Sequence, residues 1–217
     1  MLKYGKNIVF NPDRLDPLNI DRQSVELVPK RAKILEIGCA TGFIGEFLIK
    51  KKKCNVVGVE IGRGEALVAR RRLNKVIEGN IEDPKVLRLI NDKFDVVFAS
   101  AIIEHLIDPW EALRSWKKFL KKDGFLIITT SNIAHWSVRL QLLMGKFNYH
   151  EYGILDNTHL RFFTTETFKK LINDSGYKVE YFSIDPVGGG FPRISKIMSR
   201  FFPNLFAYQM LVMARPK

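Results

Sequence analysis

The residues from Glu36 to Gly42 have the types and spacing of a turn that binds a nucleotide-type cofactor. A short apolar run ends there and is followed by Glu36, Gly38, Ala40 and Gly42. Glycines let the backbone approach a ligand at the N-terminus of the next helix. The dinucleotide fingerprint G-x-G-x-x-G would need glycines where Ala40 and Phe43 stand. The turn therefore disfavours a nicotinamide or flavin dinucleotide, and by itself it is also compatible with an ordinary strand-to-helix turn.

The same spacing, Glu36-x-Gly38-x-Ala40-x-Gly42, resembles the first motif of the class I S-adenosylmethionine (SAM)-dependent methyltransferases. That motif is acidic-x-Gly-x-Gly-x-Gly, so Ala40 replaces the middle glycine. The resemblance implies SAM as the cofactor. It implies five cofactor contacts in this turn, namely Glu36, Gly38, Cys39, Ala40 and Gly42.

Further cofactor contacts are predicted where the next strands end. Glu60 lies 18 residues after Gly42 and occupies the position at which the family binds the ribose hydroxyls of SAM. Family members commonly have Gly-Asp where this chain has Gly79-Asn80, and the Asn80 carbonyl oxygen can still accept a hydrogen bond from adenine. The predicted contacts in this group are Glu60, Ile61, Asn80, Ile81 and Ser100.

A hydroxyl group that receives a methyl group benefits from a base within hydrogen-bond reach. The stretch GILDNTHLRFFT resembles a segment of methyltransferases associated with polysaccharide and glycan assembly. It provides His159 as a base or substrate hydrogen-bonder, Asp156 to orient it, and Arg161 to face an anionic group. His105 is the second candidate, and a purely structural role is open for both histidines.

The other two histidines are weaker candidates. His135 is a less probable catalytic residue, and we expect His150 to be exposed. The four histidines of the chain have no close metal-binding spacing, and Cys39 lies in the cofactor turn. We therefore predict that the protein uses no metal.

Alternating apolar strands and amphipathic helices must position these residues. The predicted strands cover residues 33–37, 55–60, 75–79, 94–100, 125–130, 177–185 and 205–214. The predicted helices cover residues 18–27, 43–52, 64–73, 84–91, 108–120, 136–144 and 165–174. This order predicts an α/β fold, a Rossmann-like doubly wound seven-stranded sheet that is mostly parallel, with an antiparallel last strand and helices on both faces.

The length of 217 residues predicts a single methyltransferase domain over residues 1–217. Residues 1–31 form a lead-in punctuated by prolines. Residues 132–164 form an insertion at the place where the family puts its substrate-covering elements. Residues 186–203 form a second insertion with a basic amphipathic piece.

The net charge of +12 favours an anionic partner but does not identify it. The segment FDVV…EHL, from Phe94 to Leu106, resembles small-molecule methyltransferases of the ubiquinone pathway, and no Asn/Asp-Pro-Pro-aromatic signature follows it. We expect O-methylation of a small molecule, a sugar or a lipid-linked glycan-type substrate. The alternatives are a basic nucleic-acid-binding protein or RNA methyltransferase, and a non-catalytic methyltransferase-like binding partner.

The composition gives weaker indications of the surroundings of the protein. Its cations are scattered over several helices, which disfavours nucleic acid as the partner. A cytoplasmic location is expected because no segment reaches about 18 consecutive apolar residues, while peripheral membrane contact stays open. Cys39 and Cys54 predict no disulfide framework. The sequence does not indicate an oligomeric state.

Overall fold

The computed structural model describes residues 8–188 and 191–217, so the first seven residues of the lead-in and Gly189–Gly190 of the second insertion lie outside the described residues. The strands are β1 (Lys33–Ile37), β2 (Asn55–Glu60), β3 (Lys75–Glu78), β4 (Phe94–Ser100), β5 (Leu120–Ser131), β6 (Tyr177–Asp185) and β7 (Gln209–Pro216).

All seven strands belong to one sheet in the order β3-β2-β1-β4-β5-β7-β6. Strands β1 to β5 pair in parallel, and β7 pairs antiparallel with both β5 and β6. This arrangement confirms the predicted fold class. Parallel order across β1, β2 and β4 brings the carboxyl ends of these strands to one edge, where ligands bind in open α/β sheets.

The helices lie on both faces of the sheet. They are α1 (Ile20–Glu26), α2 (Phe43–Lys52), α3 (Arg63–Ala69), α4 (Pro84–Arg88), α5 (Pro109–Trp116), α6 (Trp136–Leu143), α7 (Thr165–Asp174), α8 (Pro192–Met198) and α9 (Pro203–Phe206). One apolar core lies between the sheet and α4, α5 and α7, and a second lies between the sheet and α1, α2 and α3. Two buried faces explain why the central strands are apolar at almost every position.

The helices predicted over residues 84–91 and 108–120 end earlier, at Arg88 and Trp116. Three further predicted boundaries are wrong for local reasons. Helix α3 ends at Ala69 instead of residue 73, because the next residues form tight turns in which Arg72 N donates to Ala69 O. The last strand begins at Gln209 instead of residue 205, because Pro203 starts the short helix α9.

The third wrong boundary is the start of β5, which begins at Leu120 instead of residue 125. Leu120 pairs with Phe94, whereas Phe125 pairs with Val96. Residues 121–124, which separate the predicted helix from the predicted strand, therefore form a bulge within the strand. Gly124 lies in this bulge, where a Cβ atom would approach Phe94 O to 2.8 Å.

Candidate active site

The turn between β1 and α2 has a left-handed backbone at three positions. Gly38, Ala40 and Gly42 have φ angles of 67°, 47° and 76°. At Gly38 a Cβ atom would lie 1.9 Å from Ile102 Cδ1, so only glycine fits without a shift of that side chain. Ala40 adopts the same backbone region despite its Cβ atom, which costs free energy.

Glu60 joins this turn to the end of β2. Its Oε2 accepts a hydrogen bond from Ala40 N at 2.8 Å, and its Oε1 accepts one from Gly62 N at 2.8 Å. Each carboxylate oxygen has a second acceptor position. Glu60 lines two adjoining cavities, so its carboxylate lies where a ligand extending through both would pass.

The larger cavity has a volume of about 510 Å³ and lies at the carboxyl ends of β1, β2 and β4. Four carboxyl groups line it, those of Asp21, Glu36, Glu60 and Glu65. None of the described residues that line it is lysine or arginine. Each of these groups is either neutral or negative, so the cavity suits a ligand that carries positive charge, in a chain with a net charge of +12.

Glu36 is buried beneath the first turn of α2. Gly45 leaves room for it, since a Cβ atom there would lie 2.4 Å from Glu36 Oε2. Burial raises the pKa of Glu36 to about 8. Within residues 8–188 and 191–217, Glu36 Oε2 has no hydrogen-bond partner. A buried acceptor of this kind fits a cationic donor in the cavity.

The smaller cavity, of about 240 Å³, contains the end of β3 and is mostly apolar. Ile61, Ile81, Ile102, Leu106 and Leu160 are among its lining residues, with Asn80. The Asn80 Oδ1 atom already accepts a hydrogen bond from Glu82 N at 2.9 Å. The size and apolar walls of this cavity suit a flat aromatic base, and Asn80 Oδ1 would offer that base its second lone pair.

Sequence reasoning missed Asp21. This residue lies in the first turn of α1 and lines the larger cavity, where Ser100 Oγ donates to its Oδ1 at 3.3 Å. Burial raises the pKa of Asp21. In the sequence, Asp21 is explained equally well as an acidic residue that stabilises the first turn of a helix capped by Asn19. Its position on the cavity wall follows only from the packing of α1 against the sheet.

Seven of the ten predicted cofactor contacts line the larger cavity. They are Glu36, Gly38, Cys39, Ala40, Glu60, Ile61 and Ser100. Gly42 does not line either cavity. A Cβ atom at Gly42 would lie 3.2 Å from Ala69 Cα, so this glycine allows close packing between α2 and α3. Its predicted contact with the cofactor stays a prediction beside this packing role.

His105 is the histidine that lines both cavities. Its Nδ1 lies 3.2 Å from Thr158 O and 3.2 Å from Thr158 Oγ1. Thr158 Oγ1 in turn donates to Asp156 Oδ1 at 2.6 Å. Because a carbonyl oxygen only accepts, this contact assigns the proton to Nδ1 and makes Nε2 the basic nitrogen of the His105 ring.

His159 lies behind His105 and lines neither cavity. The two rings meet edge to face with centroids 4.7 Å apart. His159 Nδ1 donates to Ile154 O at 3.0 Å, and His159 Nε2 is 4.0 Å from Glu104 Oε1. His105, rather than His159, therefore lies where a ligand could reach it, and the base role that the sequence favoured for His159 stays a prediction. Asp156 is also absent from both cavity walls, and it accepts from Thr158 Oγ1, which lies 3.2 Å from His105 Nδ1.

Glu104 connects the insertion to the segment that follows β4. Its carbonyl oxygen accepts from Leu160 N at 2.8 Å and from Arg161 N at 3.0 Å. Burial raises the pKa of its carboxyl group to about 7. Arg161 donates to the carbonyl oxygens of Leu160 and Ile107, so the anion-facing role predicted for its side chain has no support in this geometry.

The remaining titratable candidates have structural surroundings. His135 is buried at the start of α6, where it accepts from Ser137 N, and burial lowers its pKa to about 4. His150 is exposed, as predicted. Cys39 and Cys54 are free and buried. Over the described ranges, no group of three His, Cys, Asp or Glu residues could hold a metal ion.

Comparison with known proteins decides the family. The family model described as "Methyltransferase domain" matches residues 15–181. The chain belongs to the class I SAM-dependent methyltransferases. Both cavities lie almost entirely within the matched residues, and Gln209, on the larger cavity, is the lining residue outside them.

Curated relatives carry O-methyltransferase names. The chain is 30% identical over 134 residues to the ubiquinone biosynthesis O-methyltransferase of Actinobacillus pleuropneumoniae, covering 57% of the chain and 54% of the relative. It is 30% identical over 139 residues to the mitochondrial ubiquinone biosynthesis O-methyltransferase of Saccharomyces cerevisiae, covering 59% and 45%. It is 25% identical over 157 residues to a malonyl-[acyl-carrier protein] O-methyltransferase of Paenibacillus, covering 69% and 56%. The chain thus spans about half the length of these relatives.

Solved structures share the fold. A SAM-dependent methyltransferase of Thermotoga maritima aligns with a TM-score of 0.61 and 24% identity, covering 91% of the chain and 87% of that protein. A SAM-dependent methyltransferase of Archaeoglobus fulgidus aligns with a TM-score of 0.62 and 20% identity, covering 90% of each chain. These likenesses support the fold assignment.

Proposed function

We propose that the protein transfers the methyl group of SAM to a hydroxyl oxygen of a small-molecule acceptor. The observation that carries this proposal is the cavity at the strand ends, which has four carboxyl groups and, among the described lining residues, no lysine or arginine. SAM has a sulfonium and an ammonium cation, one carboxylate and no phosphate, so its net positive charge matches this wall where a phosphate-bearing cofactor would not. The O-methyltransferase names of the relatives support oxygen as the acceptor atom.

The two cavities offer a separate set of residues to each part of SAM. The Glu60 oxygens would accept hydrogen bonds from the ribose hydroxyls. Asn80 and the apolar side chains of the smaller cavity would hold the adenine ring. Glu36 and Asp21 would face the ammonium end, where the orphaned Glu36 Oε2 gains a partner.

Bound SAM supplies an electrophilic methyl group on sulfur, which a nucleophile receives by in-line displacement. The protein has to align the acceptor, exclude water and take up the hydroxyl proton. His105 is positioned to take up the hydroxyl proton, because it lines the cavity and its Nδ1 is held by Thr158. Glu104 and His159 act as positioning residues that support the His105 ring.

The identity of the acceptor is a finer proposal. The resemblance of residues 153–164 to methyltransferases of polysaccharide and glycan assembly supports a sugar or lipid-linked glycan-type hydroxyl. The ubiquinone biosynthesis names of the relatives instead support a phenolic acceptor. Both classes present a hydroxyl group, so the acceptor atom is common to them.

The proposal is tested in two stages with the full chain. Calorimetry should detect binding of SAM and of S-adenosylhomocysteine. Release of S-adenosylhomocysteine should then be measured with phenols, sugars, lipid-linked glycans and RNA, with mass spectrometry of the product. Methylated oxygen in one of the first three classes supports the proposal. Absence of SAM binding would leave the non-catalytic alternative, and a methylated RNA would establish the nucleic-acid alternative.

A further inference from the structure

We propose that helices α6 and α8 form a surface that docks on an anionic lipid bilayer. This surface consists of Trp136, Leu140, Leu143 and Met144 from α6 and its end, and Phe191, Ile194, Ile197 and Phe201 around α8. We call it the α6–α8 surface. It lines neither cavity of the candidate active site, so the proposal does not depend on the proposed reaction.

Apolar side chains of α6 and its end are exposed to solvent. Trp136, Leu140 and Leu143 are spaced by four and three residues, which places them on the same side of the helix. Leu143 is 84% exposed, and Leu140 and Met144 are about half exposed. Single exposed apolar residues are ordinary, but a row of them on one helix face indicates a surface that is covered by something else.

Helix α8 extends this apolar face. Phe191, Ile194, Ile197 and Phe201 follow at spacings of three, three and four residues, and each is more than half exposed. The rings of Trp136 and Phe191 have centroids 6.2 Å apart, which makes the two helix faces continuous. Between them lies an open hollow of about 330 Å³ with Ile194 and Phe206 on its walls.

The charges around this surface identify the kind of partner. Residues 136–150 and 186–208 contain five cations, Arg139, Lys146, Arg193, Lys196 and Arg200, and no aspartate or glutamate. Lys196 pairs with Asp16, while the other four residues are exposed. Elsewhere on the surface cations commonly pair with nearby acids, such as Lys50 with Glu46 and Arg114 with Glu111.

Exposed aromatic and aliphatic side chains in segments whose charged residues are all cations match the pattern of segments that lie in the interface of an anionic membrane. Among the described residues no helix has the length and hydrophobicity needed to cross a bilayer. The inferred contact is therefore peripheral. The apolar side chains would enter the boundary between headgroups and acyl chains, and the arginines would contact anionic headgroups.

The test is co-sedimentation of the full chain with phosphatidylcholine vesicles that either contain or lack about one third phosphatidylglycerol. Binding is expected only with the anionic lipid and should weaken as salt is raised. Ile197→Glu should abolish it, and the double variant Arg193→Glu and Arg200→Glu should reduce it by more than about 25-fold, since each lost cation costs about fivefold.

Matched controls come from helix α3 and the turn after it. Leu67 is 57% exposed, close to the 60% of Ile197, and Arg71 is exposed, so Leu67→Glu and Arg71→Glu should leave vesicle binding unchanged. Circular dichroism and S-adenosylhomocysteine binding should be the same for all variants, which shows that each one folds.

Three results would overturn the proposal. They are no vesicle binding by the parent chain, equal binding to both kinds of vesicle, and equal loss in the Leu67→Glu control. Sedimentation equilibrium then shows whether the chain forms a dimer through this surface. A dimer that Ile197→Glu dissociates, in a chain that does not bind vesicles, would assign the α6–α8 surface to a second copy of the chain.

Discussion

The His159 Nε2 atom lies 4.0 Å from Glu104 Oε1, and the two side chains are only 5% and 2% exposed. This pair is enclosed between the insertion and the end of β4, with His105 between it and the cavity. A histidine that the sequence marks as a base thus supports another histidine that has access to the ligand. The arrangement separates the group that would move a proton from the groups that would hold it in place.

His105→Asn should lower kcat about 10²- to 10⁴-fold, because the variant lacks the ring nitrogen that would accept the acceptor's proton. The affinity for SAM should change by less than about threefold, which separates this effect from loss of cofactor binding. Steady-state kinetics and calorimetry check both values. His150→Asn is the matched control on the exposed part of the insertion. An unchanged kcat for His105→Asn together with a large loss for His159→Asn would return the base role to His159.

Glu60→Gln should weaken SAM binding by about 10- to 100-fold, since hydrogen bonds to a charged group contribute about 1.5–3 kcal/mol. The carboxylate also accepts from Ala40 N and Gly62 N, and an amide can accept from only one of them without a repulsive N–H contact. Calorimetry measures the affinity. Glu78→Gln is the control, because Glu78 pairs with Glu60 across β2 and β3 but lines neither cavity. Equal losses in both variants would contradict the ribose assignment.

Ala40→Gly should stabilise the protein by about 0.5–1 kcal/mol. Alanine at φ 47° costs about 1–2 kcal/mol of folding free energy, which glycine avoids. Part of this gain is lost because glycine has more conformational entropy in the unfolded chain. Thermal unfolding should then shift upward by about 1–4 °C. Ala40→Val should act in the opposite direction, because a β-branched side chain tolerates this backbone region poorly. A lower melting temperature for Ala40→Gly would show that the alanine side chain stabilises the turn by packing.

The buried Glu36 carboxyl should make stability fall with rising pH. Its folded pKa, about 8, lies above the ordinary value of 4.5, so the folded state retains a proton that the unfolded state releases. The free energy of unfolding therefore decreases between about pH 4.5 and pH 8. Urea unfolding at pH 5 and pH 8.5 should show that Glu36→Gln removes a difference on the order of a few kcal/mol. Glu104, with a pKa of about 7, also makes stability fall with rising pH, by a smaller amount, in both the parent chain and Glu36→Gln. An identical pH dependence in both would contradict the assignment.

SAM binding near pH 7 should release up to about one proton, because a cationic ligand lowers the pKa of a buried carboxyl that it contacts. Calorimetry in phosphate and in Tris detects this release as a difference in apparent binding enthalpy. Methylthioadenosine lacks both cationic groups and should release none. A release that persists in Glu36→Gln would assign the proton to another residue, with Asp21 the next candidate on the cavity wall.

The sequence by itself determined the sheet and most of the predicted cofactor residues that line the two cavities. Strands β1, β2 and β4 have the predicted bounds, because buried parallel strands are continuous apolar runs that end in polar or glycine-rich turns. The antiparallel strand β6 also has its predicted bounds. The predicted contacts Gly38 and Glu60 share one cavity because parallel strands end at the same edge. Local chemistry was sufficient there, since each contact comes directly after its own strand.

Only the tertiary structure decided the acceptor side. In the sequence 53 residues lie between His105 and His159, and no local pattern shows which of the two faces the cavity. Their order depends on the docking of the insertion, through two backbone hydrogen bonds to Glu104 O. Asp21 reached the cavity in the same way, through the packing of α1 against the sheet. Contacts of this kind depend on how distant segments pack, which neither the period nor the spacing of a sequence encodes.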